Sequence, residues 1–145
     1  EKTPAKAILG SMTTSPDTTL AAIAAHLAAQ DDLRLGIVFG SVARQHATAR
    51  SDLDLAVLAD RPLAAERRMA LIGELARLTG HAVDLVDLAT AGIPVARSAL
   101  LTGRVLFQRD TATYPAQVSR ILIDSADFLP YRNRLLRERR EAWMR

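Results

Sequence analysis

The chain has 145 residues, a length that suggests one domain with its own hydrophobic core. It contains no cysteine, which excludes disulfides, thiolate metal sites and a cysteine nucleophile. No apolar run approaches the roughly 20 residues needed to span a bilayer, and nothing resembles a signal peptide, so a cytoplasmic location is expected.

The first eleven residues differ in composition from the rest of the chain. They hold its only two lysines, whereas all 17 later basic residues are arginine. The Gly-Ser-Met at 10–12 resembles a cloning junction before a native start. We therefore interpret 1–11 as an expression leader, 12–129 as the folded domain and 130–145 as a basic C-terminal helical tail.

The net charge of +3 is unevenly distributed along the chain. From residue 130 onward, six arginines stand against two glutamates, a net charge of +4. Because the leader carries +1, the domain at 12–129 carries −2. The sequence thus combines a mildly acidic domain with a basic tail.

Helices and strands are predicted to alternate along the domain. Ser15 and Pro16 suit the N-cap and first turn of a helix through LAAIAAHLAA. The apolar run LRLGIVF predicts a buried strand at about 33–39. The later elements are a short helix at about 42–47, a strand at 52–59, a helix at 63–79, a strand at 82–88, a helix at 92–102, a strand at 104–108 and a helical remainder interrupted at Pro130.

This alternation predicts an α/β or α+β sheet with helices packed against it. The helix at 63–79 is expected to end at a Gly80 cap and to bury one apolar face. That face is predicted to contain Met69, Ile72, Leu75 and Ala76.

The most informative pattern is Gly40-Ser41, then ten residues, then an aspartate pair at Asp52 and Asp54. A Gly-Ser turn between a strand and a helix points backbone N–H groups outward, and the helix dipole favours an anion there. Aspartates two apart in a strand project from the same face, with apolar residues alternating against them. Such a pair suits Mg²⁺, which one or two carboxylates and substrate phosphates hold together. The pattern predicts phosphoryl or nucleotidyl transfer.

This G-S-x10-D-x-D motif resembles the signature of the DNA polymerase β-type nucleotidyltransferases. The single-domain length and VDLVDL at 83–88 are similar to the minimal nucleotidyltransferases (MNT), typically the antitoxin halves of HEPT–MNT toxin–antitoxin pairs. The resemblance covers about residues 20–110. It implies the nucleotidyltransferase fold, an α+β (mixed α/β) fold with a small mixed β-sheet and helices packed against it. It further implies Mg²⁺-dependent transfer of AMP from ATP to a tyrosine of a cognate HEPT ribonuclease toxin.

The resemblance also implies roles for individual residues. Asp52 and Asp54 are expected to hold the metal, and the Gly-Ser turn is expected to cradle the β- and γ-phosphates. A third carboxylate is expected on the neighbouring strand, where Asp84 and Asp87 lie three apart and so face opposite sides. Asp84 matches the first aspartate of the family's VDLVD run and is predicted as third metal ligand or base. Asp87 is the alternative candidate for this role.

Arg44 and Arg50 flank the Gly-Ser turn in the segment that connects it to the aspartates. They are interpreted either as solvated loop residues or as contacts to the triphosphate, which a guanidinium binds in a bidentate manner. Arg44 is the nucleotide-binding candidate of the two. The histidines lack the spacing of metal ligands and are interpreted as structural or exposed residues: His26, His46 and His81.

The tail carries apolar residues among its arginines. Leu135, Leu136 and Trp143 are spaced for one helical face. A solvated helix, a helix that docks on a partner and a helix packed on the chain's own sheet stay open as interpretations. Direct nucleic-acid binding is not expected, because the domain is acidic.

Two other functions stay open. A small-molecule nucleotidyltransferase, such as an aminoglycoside-modifying enzyme, usually carries an extra helical domain for its acceptor, and only about 35 residues follow the last strand. A module that neutralises a toxin by binding alone would not need the intact motif. The expected partners are therefore ATP and a cognate HEPT-type toxin, with no membrane.

Overall fold

The computed structural model describes residues 15–43 and 52–144 of the chain. In chain order the elements are α1 (Pro16–Ala28), β1 (Leu33–Phe39), α2 (Gly40–Ala43), β2 (Leu53–Ala59), α3 (Ala65–Thr79), β3 (Val83–Asp87), α4 (Ile93–Thr102), β4 (Arg104–Gln108) and α5 (Thr113–Trp143). None of the described helices combines the length and the apolar character that crossing a membrane requires.

The four strands form one mixed sheet in the order β3–β2–β1–β4. Strand β1 runs antiparallel to both β2 and β4, whereas β2 and β3 run parallel. The C-terminal end of β1 therefore meets the N-terminal ends of β2 and β3 at one end of the sheet, which we name the motif end. This arrangement confirms the predicted α+β (mixed α/β) fold with a small mixed β-sheet.

Helices cover both faces of the sheet. Alternation along the strands sends successive side chains to opposite faces, so two separate apolar clusters form. Helices α1 and α3 cover the first cluster, whose buried residues are Leu20, Ile23, Leu27, Leu33, Val38, Leu53, Leu55, Val57, Ala59, Leu71, Leu75 and Leu85. Helices α4 and α5 cover the second, whose buried residues are Leu35, Ile37, Phe39, Ala56, Leu88, Ala96, Ala99, Leu100 and Ile121.

Local sequence signals explain how α1 begins and α3 ends. The Ser15 side chain accepts a hydrogen bond from the backbone N–H of Thr18 at 3.3 Å, and Pro16 occupies the first turn, as predicted. Helix α3 ends at Gly80, whose φ of 72° is left-handed. The predicted core face of α3 was wrong at Met69, which is 66% exposed. The buried residues of this helix are Leu71 and Leu75, four apart and hence on one face.

Helix α5 differs from the prediction at Pro130. The sequence predicts an interruption there, but one helix of 31 residues runs from Thr113 to Trp143 with Pro130 inside it. Proline cannot donate to the carbonyl four residues back, that of Ala126. Because both residues are exposed, water can satisfy that carbonyl, and the helix continues.

Several predicted features lie outside the described residues. They are the leader at 1–11, most of the predicted helix at 42–47, and Arg44, His46 and Arg50.

Candidate functional site

Two of the three predicted carboxylates are direct neighbours on adjacent strands. Asp54 of β2 pairs with Asp84 of β3 in the parallel register, so the two side chains lie on the same face of the sheet. Asp54 is half-buried and Asp84 is exposed. Asp52 is exposed and directly precedes β2, two residues before Asp54. All three carboxylates therefore belong to the motif end.

Gly40 brings the backbone against this carboxylate group. Phe39, the last residue of β1, pairs with Asp54, and Gly40 follows with a φ of 70°. A Cβ added at Gly40 would overlap Oδ2 of Asp54 and lie 3.1 Å from its Cγ. Both the left-handed backbone and the close approach require glycine. Ser41, half-exposed, then lies in the short helix α2 beside the same end of the sheet.

The carboxylates do not by themselves enclose a metal ion. Within residues 15–43 and 52–144, no three His, Cys, Asp or Glu side chains are arranged to hold one. The oxygen donors of Asp52, Asp54 and Asp84 nevertheless fit Mg²⁺, which prefers hard oxygen ligands and completes its shell with water and phosphate oxygens. Glycine at position 40 is compatible with such a site, because a Cβ there would displace the Asp54 carboxylate. Metal binding by these residues stays a prediction.

Asp87 lies on the opposite face of β3 and has a different environment. It is 4% exposed. Its Oδ2 accepts a hydrogen bond from the N–H of Leu63 at 2.8 Å, and its Oδ1 accepts one from the N–H of Ala89 at 2.9 Å. The carboxylate thus joins the segment before α3 to the turn after β3. Its position and partners are those of a structural residue.

Two other polar contacts hold α3 in place, away from the motif end. His26 Nε2 lies 2.9 Å from Oε2 of Glu74, which links α1 to α3 and agrees with a structural role for His26. The Arg67 guanidinium binds both carboxylate oxygens of Asp32, at 2.9 and 3.0 Å. This hydrogen bonding, opposed by partial burial, holds the pKa of Asp32 below its ordinary value. His81 is half-exposed.

Sequence reasoning found the carboxylates but missed the contact between Gly40 and Asp54. The available signal was a glycine directly after a buried strand, which is also typical of an ordinary turn. Only the antiparallel pairing of β1 with β2 shows which carboxylate that glycine faces.

Comparison with known proteins places the chain in a family. The model of the family described as polymerase beta, nucleotidyltransferase, matches residues 21–112, more than half of the chain. No curated protein matches the chain. Solved structures that share its fold include a toxin–antitoxin with AMP-PNP, at 23% identity and a TM-score of 0.74, covering 83% of this chain and 96% of that one.

Two further solved structures match the chain with similar identity and TM-score. A tri-AMPylated HEPN toxin in complex with its MNT antitoxin, from Shewanella oneidensis, shows 22% identity and a TM-score of 0.72, covering 85% of this chain and 97% of that one. A mutant of the toxin–antitoxin MntA-HpeT shows 25% identity and a TM-score of 0.68, covering 75% and 87%. The family match spans both the Gly-Ser turn and all three carboxylates of the motif end. The chain belongs to the polymerase beta nucleotidyltransferase family.

Proposed function

We propose that this chain is an antitoxin enzyme that transfers AMP from ATP to a tyrosine of a cognate HEPT-type ribonuclease toxin, with Mg²⁺ as cofactor. The observation that carries the proposal is the direct pairing of Asp54 with Asp84, beside a glycine turn where an added Cβ would displace the Asp54 carboxylate. Two neighbouring carboxylates repel each other, and a bound cation relieves that repulsion. A cation-binding pair beside a phosphate-binding turn is suited to nucleotidyl transfer.

The related structures support the identity of donor and acceptor. One relative is a toxin–antitoxin with AMP-PNP, and another contains a tri-AMPylated HEPN toxin in complex with an MNT antitoxin. A donor nucleotide and an AMPylated toxin in proteins of the same fold favour AMP transfer to a partner protein here.

The residues of the motif end would divide the work of the reaction. The backbone N–H groups of Gly40 and Ser41 and the Ser41 hydroxyl would bind the β- and γ-phosphates, with Arg44 as a further phosphate contact. Asp52 and Asp54 would hold Mg²⁺, which would neutralise charge on the triphosphate.

Asp84 has the role closest to the acceptor. It either completes the cation site or accepts the proton of the attacking tyrosine hydroxyl. The tyrosine oxygen attacks the α-phosphorus of ATP from the side opposite the pyrophosphate. The new P–O bond forms as the bond between the α-phosphorus and the bridging oxygen breaks, and pyrophosphate leaves. Positioning and charge stabilisation supply most of the rate acceleration.

The test is the intact mass of the cognate toxin, purified and incubated with the chain, ATP and Mg²⁺. We expect mass increments of AMP that require both ATP and Mg²⁺. The double variant Asp52→Asn/Asp54→Asn should abolish the increments without unfolding the chain, because neither side chain is in the core. Asp31→Asn, an exposed aspartate outside the motif end, is the matched control and should transfer normally. Transfer by the double variant at the wild-type rate would refute the assignment.

The same assay separates the other two functions. AMP attached to an aminoglycoside, with none on the toxin, would favour a small-molecule nucleotidyltransferase. A double variant that neutralises the toxin as well as wild type does, with no transfer by either, would favour a binding module.

A further inference from the structure

We propose that the C-terminal half of α5, residues 130–144, is a docking surface for an acidic protein. The partner's identity rests on the proposed function, under which it is the acceptor toxin. We name these residues the α5 docking surface. The first half of the same helix packs on the domain, so the surface and the domain are joined by one continuous helix.

Large apolar side chains are concentrated on this segment. Of the eleven exposed large hydrophobic residues in the described chain, five lie between positions 131 and 144. They are Tyr131, Leu135, Leu136, Trp143 and Met144. Trp143 is 92% exposed, and tryptophan is among the residues enriched in interface hot spots. A concentration of exposed apolar side chains of this kind is typical of an interaction surface.

Leu136 and Trp143 lie on the same side of α5 as the residues that pack against the domain. Ile121 and Ser125 are buried against it. Leu136 follows Ser125 by 11 residues and Trp143 follows Leu136 by 7, which is about three and two helical turns. These residues therefore lie on one side of the helix. On this side, Ile121 and Ser125 are buried by the chain's own core, whereas the residues from 130 to 144 are exposed.

Two open grooves extend this side of α5 toward α4, on either side of Arg97. One, of about 380 Å³, is lined by Ser125 and Pro130 among others, and one, of about 340 Å³, by Pro94 and Arg132. The hydroxyl of Ser125, in a residue 4% exposed, has no hydrogen-bond partner among the described residues. The surface thus offers recesses for a partner's side chains as well as an apolar ridge.

The charge of the segment indicates an acidic partner. From residue 130 on, six arginines stand against two glutamates. Arginine with an aromatic anchor is the composition of protein interface cores, and the Arg134 guanidinium lies 5.6 Å from the centre of the Tyr131 ring. A protein that presents carboxylates around an apolar patch fits both features. Nucleic acid would use the arginines but leave the leucine and tryptophan side chains exposed. A second copy fits less well, because 12–129 carries only −2.

The experiment measures the dissociation constant of the full chain for the purified cognate toxin by titration calorimetry, without ATP. Leu136→Glu/Trp143→Glu should weaken binding at least about tenfold, as expected at a hot spot. Arg132→Glu/Arg139→Glu should weaken it to a similar degree, and added salt should weaken wild-type binding. Ile123→Glu is the matched control, because Ile123 is 65% exposed on another side of the same helix, and it should bind as wild type does.

Folding and nucleotide binding are measured on the same samples. Trp143→Ala, at a side chain 92% exposed, provides a variant whose folding should be unaffected if the double variant unfolds. Wild-type toxin affinity in folded surface variants would overturn the proposal. So would failure of wild type to bind the toxin, or weaker binding of a single-stranded RNA by these variants with toxin binding unchanged. A wild-type dimer in light scattering that Trp143→Ala converts to a monomer, with toxin binding unchanged, would assign the surface to a second copy instead.

The measurements distinguish an error in the proposed function from an error in the proposed docking surface. Toxin that binds through the α5 docking surface but never gains AMP would support the surface and refute the transfer reaction. Toxin that gains AMP equally from wild type and from the surface variants, with unchanged affinity, would support the reaction and refute the surface.

Discussion

At the scale of single residues, two aspartates three positions apart on β3 have opposite environments. Asp84 is exposed beside Asp54, whereas Asp87 is 4% exposed and accepts two backbone hydrogen bonds. The cause is strand alternation, which sends residues an odd number apart to opposite faces. Replacing Asp84 should therefore reduce activity, whereas replacing Asp87 should reduce stability.

Replacing each by alanine tests this difference. Asp84→Ala should lower the rate of AMP transfer by about a hundredfold or more and leave the unfolding temperature unchanged, because it removes a metal ligand or base from an exposed position. Asp87→Ala should reduce the free energy of unfolding by about 1–3 kcal/mol, because it leaves two part-buried N–H groups, those of Leu63 and Ala89, without acceptors. Rates are measured by pyrophosphate release and stabilities by urea denaturation. Equal loss of transfer in two folded variants would contradict the assignment.

Gly40 provides a second prediction at this scale. Gly40→Ala introduces a Cβ that overlaps the Asp54 carboxylate at a φ of 70°. Asp54 must then move, so ATP binding should weaken and transfer should be lost, with a stability cost of about 1 kcal/mol or more. Gly73→Ala is the control, since a Cβ there meets nothing within 4 Å. Calorimetric titration with ATP and Mg²⁺ measures the effect, and normal ATP affinity in Gly40→Ala would show that the close approach is unimportant.

At the scale of elements, an ion pair attaches α3 to the turn that precedes β1. Arg67 binds Asp32 through two N–H groups and also donates to the Gln30 side-chain oxygen at 2.9 Å. The Asp32 side chain is 42% exposed, so solvent screens the pair and its net contribution is small, about 0.5–1 kcal/mol.

The pKa of Asp32 gives this contribution a pH dependence. Its folded-state pKa lies below the ordinary 3.8, chiefly because of the hydrogen bond from Arg67. The stabilisation is thus fully present above pH 3.8 and is lost as the pH falls through the lower, folded-state pKa. Asp32→Asn should be less stable than wild type at pH 7 and equally stable well below pH 3.8. Urea denaturation across pH measures this, and a constant difference down to pH 2 would exclude the ionic contribution.

At the scale of the whole molecule, we expect the α5 docking surface to contribute little to the free energy of unfolding of the domain. Among the side chains of α5 that the structure describes, Ser125 is the last buried one, and every residue from Pro130 to Met144 is exposed. A chain shortened to end at residue 129 should therefore unfold within a few degrees of the full chain and should still bind ATP. A thermal scan and an ATP titration measure this. A large drop in unfolding temperature would show that the segment stabilises the domain.

The family, the mixed fold and the motif positions could be inferred from the sequence because each depends on local pattern. Strand periodicity predicts that Asp52 and Asp54 share one face, and the family model confirms membership over residues 21–112. The alternation of Asp84 with Asp87 is likewise a local property, and the structure agrees with it. The roles of these carboxylates and of Arg44 in catalysis stay predictions.

Tertiary structure decided what depends on contacts between distant segments. The prediction for Met69 was wrong because the side of α3 that faces the sheet depends on how the helix is docked, and the docked helix buries Leu71 and Leu75 instead. The predicted break at Pro130 was wrong because an exposed helix can leave one carbonyl to water. The pairing of Asp54 with Asp84, and the contact of Gly40 with Asp54, require strand order and register. Sequence periodicity predicts which face of a strand or helix each residue lies on, but only the packed sheet shows which residue of another strand lies beside it.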